Sequence, residues 1–199
     1  MKIEEAIKQL KESSKKRGFK QSFDLIVNIT NVDLKKPENK FSKDIALPHG
    51  RGKEVNVSII SDTVQGAITK KDLEALTGDA KKIKELINKN DFFLCEAPLM
   101  PLTGKVLGKY LGPRGKMPKL LPPGADPKPF IENAKKSVTV RLRDSPLIQT
   151  MLGTENMDDA QIKENAEKVI EEIKKSLPAK ARIKSTFLKL TMSKPIKIS

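Results

Sequence analysis

The side chains that could do covalent or metal chemistry in this chain are few: one histidine, one cysteine and a glycine-rich basic run. His49 sits between Pro48 and Gly50. General-base work would need an orienting acid and a nucleophile near it, and the flanking sequence supplies no such set. A Pro-His-Gly setting is instead that of a hydrogen-bonded turn. Cys95 closes the apolar stretch DFFLC, where a core role is expected, because thiol reactivity requires exposure and nearby positive charge. One Cys and one His cannot assemble an ordinary zinc site, so no metal is expected. The run Leu102 to Gly124, LTGKVLGKYLGPRGKMPKLLPPG, has five basic residues (Lys105, Lys109, Arg114, Lys116, Lys119), five glycines and no acid. As a phosphate-binding P-loop it fails. Tyr110 stands where the first glycine belongs, and Met117 replaces the Mg²⁺-binding hydroxyl. Two readings remain for it, a nucleic-acid contact and a purely structural cationic turn. Gly104, Gly108 and Gly112 recur every four residues, a spacing that would let another backbone approach one helix face. Nothing in the chain is a catalytic candidate.

A different chemistry is written at the end of the chain. Lys180 to Ser199 holds six basic side chains (Lys180, Arg182, Lys184, Lys189, Lys194, Lys197) and no acid. Side chains alternate across a strand, which groups Ile183, Ser185, Phe187, Lys189 and Thr191 on one face. Lys184, Thr186, Leu188, Leu190 and Met192 fall on the other, the better core face. Its expected partner is Ser22 to Asp33, with Phe23, Leu25, Val27 and Ile29 on one side. Such a sheet could grip a polyanion; equally, lysines on an ordinary edge strand discourage aggregation. Composition favours a polyanionic partner: 39 Lys+Arg against 25 Asp+Glu give a formal charge of +14 and a pI near 9.7. That balance speaks of partners and not of fold. Nucleic acid leads, with an acidic membrane surface behind it. No apolar run approaches the ~20 residues a membrane span requires. Aromatics are only 4% and Trp is absent, so grip must come from charge, hydroxyls and backbone rather than extensive base stacking. A single cysteine, unable to form an internal disulfide, is compatible with a reducing cytosol.

The elements that position these residues read as follows. Lys2 to Lys16 has a helical apolar stripe, and no secretory leader is expected in it. The strand from Ser22, a polar loop and a short strand Phe41 to Leu47 come next. Leu47 to Lys53 (LPHGRGK) then marks a chain crossing. From Glu54 the texture changes: a strand at Glu54 to Ser61, helices at Lys71 to Leu76 and Asp79 to Lys89, and a strand at Asp91 to Cys95 buried on both faces. Helices follow at Leu99 to Leu111 and Pro127 to Lys135. Alternating strands and helices imply a mostly parallel sheet. Ser137 to Arg143 resumes alternation, with Leu147 to Met151 as its expected hairpin partner. Asp158 to Leu177 is a helix with Ile162, Ala166, Val169, Ile170 and Ile173 in one stripe. The simplest architecture is therefore an α/β and α+β chain of two domains. A discontinuous α+β sandwich, residues 1–50 and 136–199, has an antiparallel sheet with helices on one face. A Rossmann-like three-layer α/β domain, residues 51–135, is inserted in it.

Four motifs in order carry a more specific resemblance: Ser22-Phe23-Asp24, the Leu47–Lys53 heptapeptide, Leu111-Gly112-Pro113-Arg114-Gly115-Lys116-Met117-Pro118, and Thr191-Met192. Together they resemble the large-subunit ribosomal protein L-one family, the proteins of the mobile stalk beside the tRNA exit site, and the heptapeptide looks like the archaeal branch. The resemblance spans essentially the whole chain. It implies a cytoplasmic, cofactor-free protein, monomeric when free, that binds large-subunit rRNA through its discontinuous domain. It also implies help in releasing deacylated tRNA at the exit site and repression of translation through the chain's own mRNA leader. By motif it assigns RNA contacts to Phe23, Arg141, Ser185, Lys189, Thr191, Met192 and Ser193. Secondary contacts, or structural roles, fall to Lys105, Lys109, Arg114 and Lys116, and a double hinge to His49, Gly50, Gly52, Lys135 and Lys136. Ser193 departs from a family glycine, which puts that contact geometry in doubt. Two other classes stay open on the residues alone, a nucleotide-using enzyme on the inserted domain and a regulator acting only off the ribosome.

Overall fold

The computed structural model describes residues 1–15, 17–178 and 180–198. They form two compact units: residues 1–53 with 136–199, and residues 54–135.

The first unit is built on a strict alternation. β1 (Ser22–Thr30) buries Phe23, Leu25, Val27 and Ile29 and leaves the intervening residues half-exposed. It ends where Asn31 adopts a positive φ of 58°. On one side it pairs antiparallel with β8 (Arg182–Leu190), on the other with β7 (Leu147–Thr154), and β9 (Ile196–Lys197) pairs antiparallel with the far side of β8. Two strands far apart in sequence are thus direct neighbours. Leu188 and Leu190 face inward as their alternation requires, but a bulge opposite Asn28/Ile29 removes Lys184 from the ladder. Burying its charge would be costly, and one extra residue in the strand leaves it exposed while Ile183 turns toward the core. Behind the sheet lie α1 (Ile3–Ser13) and α6 (Asp159–Ser176). Ala6, Ile7 and Leu10 of the first join Ile162, Ala166, Val169 and Ile173 of the second in the same apolar cluster.

One expected pairing is corrected. Ser137 starts β6 (Ser137–Leu142), but β6 pairs with β2 (Phe41–Ala46) in a separate two-stranded sheet, and β7 belongs to β1. The Asp144-Ser145-Pro146 link hands the chain from one sheet to the other. Pro146 supplies a carbonyl to Ile29 N–H, 2.9 Å away, at the start of the β1–β7 register.

The second unit is a parallel sheet in the order β3 (Val57–Ile60), β4 (Phe92–Glu96), β5 (Lys119–Leu121). Helices α2 (Lys70–Ala75) and α3 (Ala80–Lys89) connect β3 to β4, α4 (Met100–Arg114) connects β4 to β5, and α5 (Pro127–Lys136) leads out. Phe93, Leu94 and Cys95 are all buried, so both faces of the central strand are covered. Cys95 is a core residue, its thiol pushed up from the ordinary pKa chiefly by burial. α4 runs on through Pro113 to Arg114, past the expected end at Leu111. Gly115, at φ +65°, then terminates it, with the amides of Gly115 and Lys116 bonded back to Gly112 O and Leu111 O.

Candidate nucleic-acid interface

The face of the β7-β1-β8-β9 sheet turned away from the core is set by register alone. β1 presents Asp24, Ile26 and Asn28, and opposite them on β8 stand Lys189, Phe187 and Ser185. Met151, Gln149 and Leu147 of β7 continue the three rows. Ser185 is almost buried, and its Oγ accepts a hydrogen bond from Asn28 Nδ2 at 2.9 Å. Its own proton is left to donate outward. Asp24 is half-buried. Burial raises its carboxyl above the ordinary range, against the opposing pull of the Lys189 ammonium.

At the end of β8 the chain makes a tight turn through Thr191, Met192 and Ser193. The Thr191 amide donates to Ser22 O (3.1 Å), and Thr191 Oγ1 accepts from the Ser22 amide (3.0 Å). The threonine hydroxyl therefore fastens the turn to the start of β1. Gln21, buried, accepts the Met192 amide on its Oε1 at 3.3 Å. Met192 is held by its backbone while the residue as a whole stays 57% exposed. Ser193 closes the turn: its Oγ accepts the Leu190 amide at 2.8 Å, and its own amide donates to Leu190 O at 3.0 Å. Asn31 is the only non-glycine with a left-handed φ among the described residues, so serine is unstrained where the family pattern has glycine. The hydroxyl adds internal bonds.

Electrostatics separate this surface from the opposite side of the unit. Three of the four lysines of α6 are matched by acids: Lys163 with Glu4 at 2.8 Å, Lys175 with Glu171 at 2.7 Å, Lys168 with Glu172 at 3.5 Å. Lys43 of β2 also holds Glu172 at 2.8 Å, and this bond chiefly pulls the Glu172 carboxyl down to about 2. None of the basic side chains from Lys180 to Lys197 forms a salt bridge among the described residues. Apart from Lys189, which stands opposite Asp24, they are exposed to solvent.

Other expected site residues fall elsewhere. Phe23 lies opposite Leu190 beside the turn, but its ring is wholly buried on the core side. It cannot cover a ribose there, because odd-numbered residues of β1 point inward; Phe187, half-exposed, is the aromatic of the outer face. Arg141 stands on β6 opposite Ser42, outside the β1–β8 ladder, with its guanidinium lowered in pKa by burial and by Arg143. In the second unit Lys116 is structural. Its Nζ donates to Ile87 O (3.0 Å) and Asn90 O (2.7 Å), satisfying carbonyls at the end of α3. Burial lowers its pKa. Arg114 bonds to Asn88 Oδ1 and Lys119 lies 4.7 Å above the Phe92 ring centroid. Lys105 and Lys109 are exposed on α4. The Gly104, Gly108 and Gly112 face meets no other backbone: a Cβ at any of the three would touch nothing within 4 Å.

At the chain crossing, Gly50 and Gly52 have φ of +67° and +64°. A side chain at Gly52 would meet Met157 Sδ at 2.6 Å and Thr154 Oγ1 at 2.7 Å, so both space and backbone demand glycine. The organiser here is Asn165, a polar residue on the buried stripe of α6. Its Nδ2 donates to Gly50 O (3.0 Å) and Leu152 O (2.8 Å), and its Oδ1 accepts the His49 amide (3.2 Å). His49 itself makes a 2.6 Å contact with Glu164, as a turn histidine rather than a catalytic one. Lys136 O accepts the Leu47 amide at 3.0 Å, which sets the returning strand beside the outgoing one. Among the described residues no cluster of His, Cys, Asp and Glu could hold a metal ion.

The model of the ribosomal protein L1p/L10e family matches residues 10–194. The chain belongs to that family. It is similar to large ribosomal subunit protein uL1 of Methanothermobacter thermautotrophicus, 40% identical over 207 residues that cover 98% of each chain. The uL1 of Pyrococcus abyssi is 40% identical over 208 residues, covering 99% of this chain and 95% of its own. That of Methanobrevibacter smithii is 42% identical over 205 residues, covering 98% and 97%. Membership makes the chain an rRNA-binding protein of the large subunit, at work on the cytoplasmic ribosome, and not an enzyme.

Proposed function

We propose that the chain binds rRNA of the mobile stalk of the large subunit through the outer face of the β7-β1-β8-β9 sheet and the Thr191–Ser193 turn. The observation that carries this reading is the asymmetry of charge: among the described residues the cations from Lys180 to Lys197 form no salt bridge and only Lys189 faces an acid, Asp24, while three of the four lysines of α6 are ion-paired. A-form RNA offers a wide, shallow minor groove lined with 2′-hydroxyls. Ser185, with its proton free, and the backbone of the turn are suited to those hydroxyls, Met192 and Phe187 to ribose faces, and Lys189 to phosphate. Backbone contacts of this kind fix register, and RNA shape supplies selection. The same surface would take a similarly folded segment of the chain's own mRNA leader and so repress translation.

The second unit would follow the stalk to exit-site tRNA, with Lys105 and Lys109 as its available cations and assistance to release of deacylated tRNA as its role. Two crossings, His49–Lys53 and Lys135–Lys136, join the units and would act as the hinge, with Gly50 and Gly52 absorbing the backbone change. Filter binding of a stalk rRNA fragment against an unrelated duplex of equal length, at fixed salt, tests the reading. The fragment should win by at least tenfold, with both affinities falling as salt rises. Equal affinity would reduce the surface to a general polyanion binder.

A further inference from the structure

Beside the Thr191–Ser193 turn lies a pocket of about 390 Å³, within the size range of small-molecule sites. It is formed by the end of α1, the segment leading into β1, and the residues before β9. Leu10 and Ile196 give it an apolar base, and exposed Met192 stands at its lip. The side chains of Lys15, Arg17 and Lys194 ring it, all exposed and in no ion pair among the described residues, and no acid lines it.

The hydroxyls inside have a defined polarity. Ser13 Oγ donates to Leu10 O (3.3 Å) and Ser14 Oγ to Lys11 O (3.2 Å), each spending its single proton on a helix-end carbonyl. What they present to the pocket is therefore acceptor lone pairs. Gln9, exposed, adds an amide that can donate or accept. Apolar base, acceptors within and cations around the mouth match the three parts of a nucleotide: an aromatic ring, edge N–H groups and phosphate.

We propose that this pocket receives one unstacked nucleotide of the RNA that lies across the adjoining turn, and that it selects a base carrying an exocyclic amine. The base lies between Leu10, Ile196 and Met192, its amine on the serine oxygens, and its flanking phosphates meet Lys15, Arg17 and Lys194. The inference rests on the rRNA-binding reading of the sheet face and adds a base-specific subsite to a surface that otherwise reads shape.

The test is a coupling cycle with the full chain and the stalk rRNA fragment. Abasic nucleotides are introduced one at a time outside the fragment's paired segments, and affinity is measured for wild type and for Ser13→Trp, which fills the pocket from an exposed position. One abasic site should weaken wild-type binding roughly tenfold, the loss expected on forfeiting burial of one apolar ring face against Leu10, Ile196 and Met192. Ser13→Trp should be weakened as much with intact RNA and no further by that abasic site. Gln9→Trp, also exposed, must repeat the result, and melting curves matching wild type show that either variant is folded. An abasic site whose effect simply adds to that of both blocking variants, or the absence of any sensitive position, overturns the pocket while leaving the sheet face standing. A wild-type protein that does not prefer the fragment over an unrelated duplex overturns both.

Discussion

Asn165 offers the sharpest stability experiment, because a single buried amide ties together three segments. Asn165→Ala removes donors from Gly50 O and Leu152 O and an acceptor from His49 N–H. A hydrogen bond contributes about 1 kcal/mol net, and a buried group left unpaired costs about 1–3 kcal/mol. Two buried carbonyls and one partly buried amide give a loss of about 3 kcal/mol, within a range of about 2–5. For a chain of this size that is a fall in Tm of roughly 6–12 °C. Asn165→Asp keeps the volume but turns an acceptor toward two carbonyl oxygens and buries a charge, so at pH 7 it should be worse than alanine. Its carboxyl would be raised in pKa by burial and by those carbonyls. The protonated form can donate one bond, so its deficit shrinks as pH falls through the raised value. Denaturant unfolding at pH 7 and pH 5 reads both effects. An alanine variant within about 0.5 kcal/mol of wild type, or an aspartate variant more stable than alanine at pH 7, would refute the clamp.

Met192→Ala should leave Tm unchanged, since an exposed side chain away from the core costs within about 0.5 kcal/mol. It should weaken binding of the rRNA fragment about tenfold, the loss expected on forfeiting burial of a Met side chain; unchanged affinity in filter binding would remove Met192 from the interface. Lys116→Met should destabilise the 54–135 unit by about 1–3 kcal/mol through the two carbonyls it abandons, without altering RNA affinity; the opposite pattern in melting and binding would make Lys116 a contact residue. Glu172 has a carboxyl depressed to about 2 by Lys43, so its contribution is fully present above the usual Glu value of about 4.3 and is lost as pH falls toward about 2. The stability gap between wild type and Glu172→Gln should close over that window; a gap independent of pH in acid titrations would contradict the Lys43 assignment.

Alternation carried most of the first unit. β1 buries the four residues its pattern names, and β8 meets it across 150 residues of sequence because Leu188 and Leu190 demand the same core. Periodicity cannot say which alternating strand pairs with which: β7 follows β6 in sequence, yet Pro146 carries it to β1. The same limit hid the bulge at Lys184, which depends on what lies opposite. In the site, motif and alternation disagreed at Phe23: the motif suggested a surface aromatic, the inward position of the residue decided for the core. Asn165 had a signal, an amide standing among Ile162, Ala166 and Val169, but its partners come from two distant segments. Lys116 likewise reads in sequence as one more cation of a basic run, because the carbonyls it serves lie at the distant end of α3. Asn28, a residue poorly suited to strands, was the visible trace of the bond that orients Ser185.

We propose that rRNA lies on the outer face of the β7-β1-β8-β9 sheet. Amide chemical-shift mapping during titration with the stalk rRNA fragment addresses it most directly. Asp24, Asn28, Ser185, Phe187 and Lys189 and the turn from Thr191 to Ser193 should shift, while the exposed face of α6 stays unmoved. Shifts confined to α6, or to residues 54–135, would contradict it.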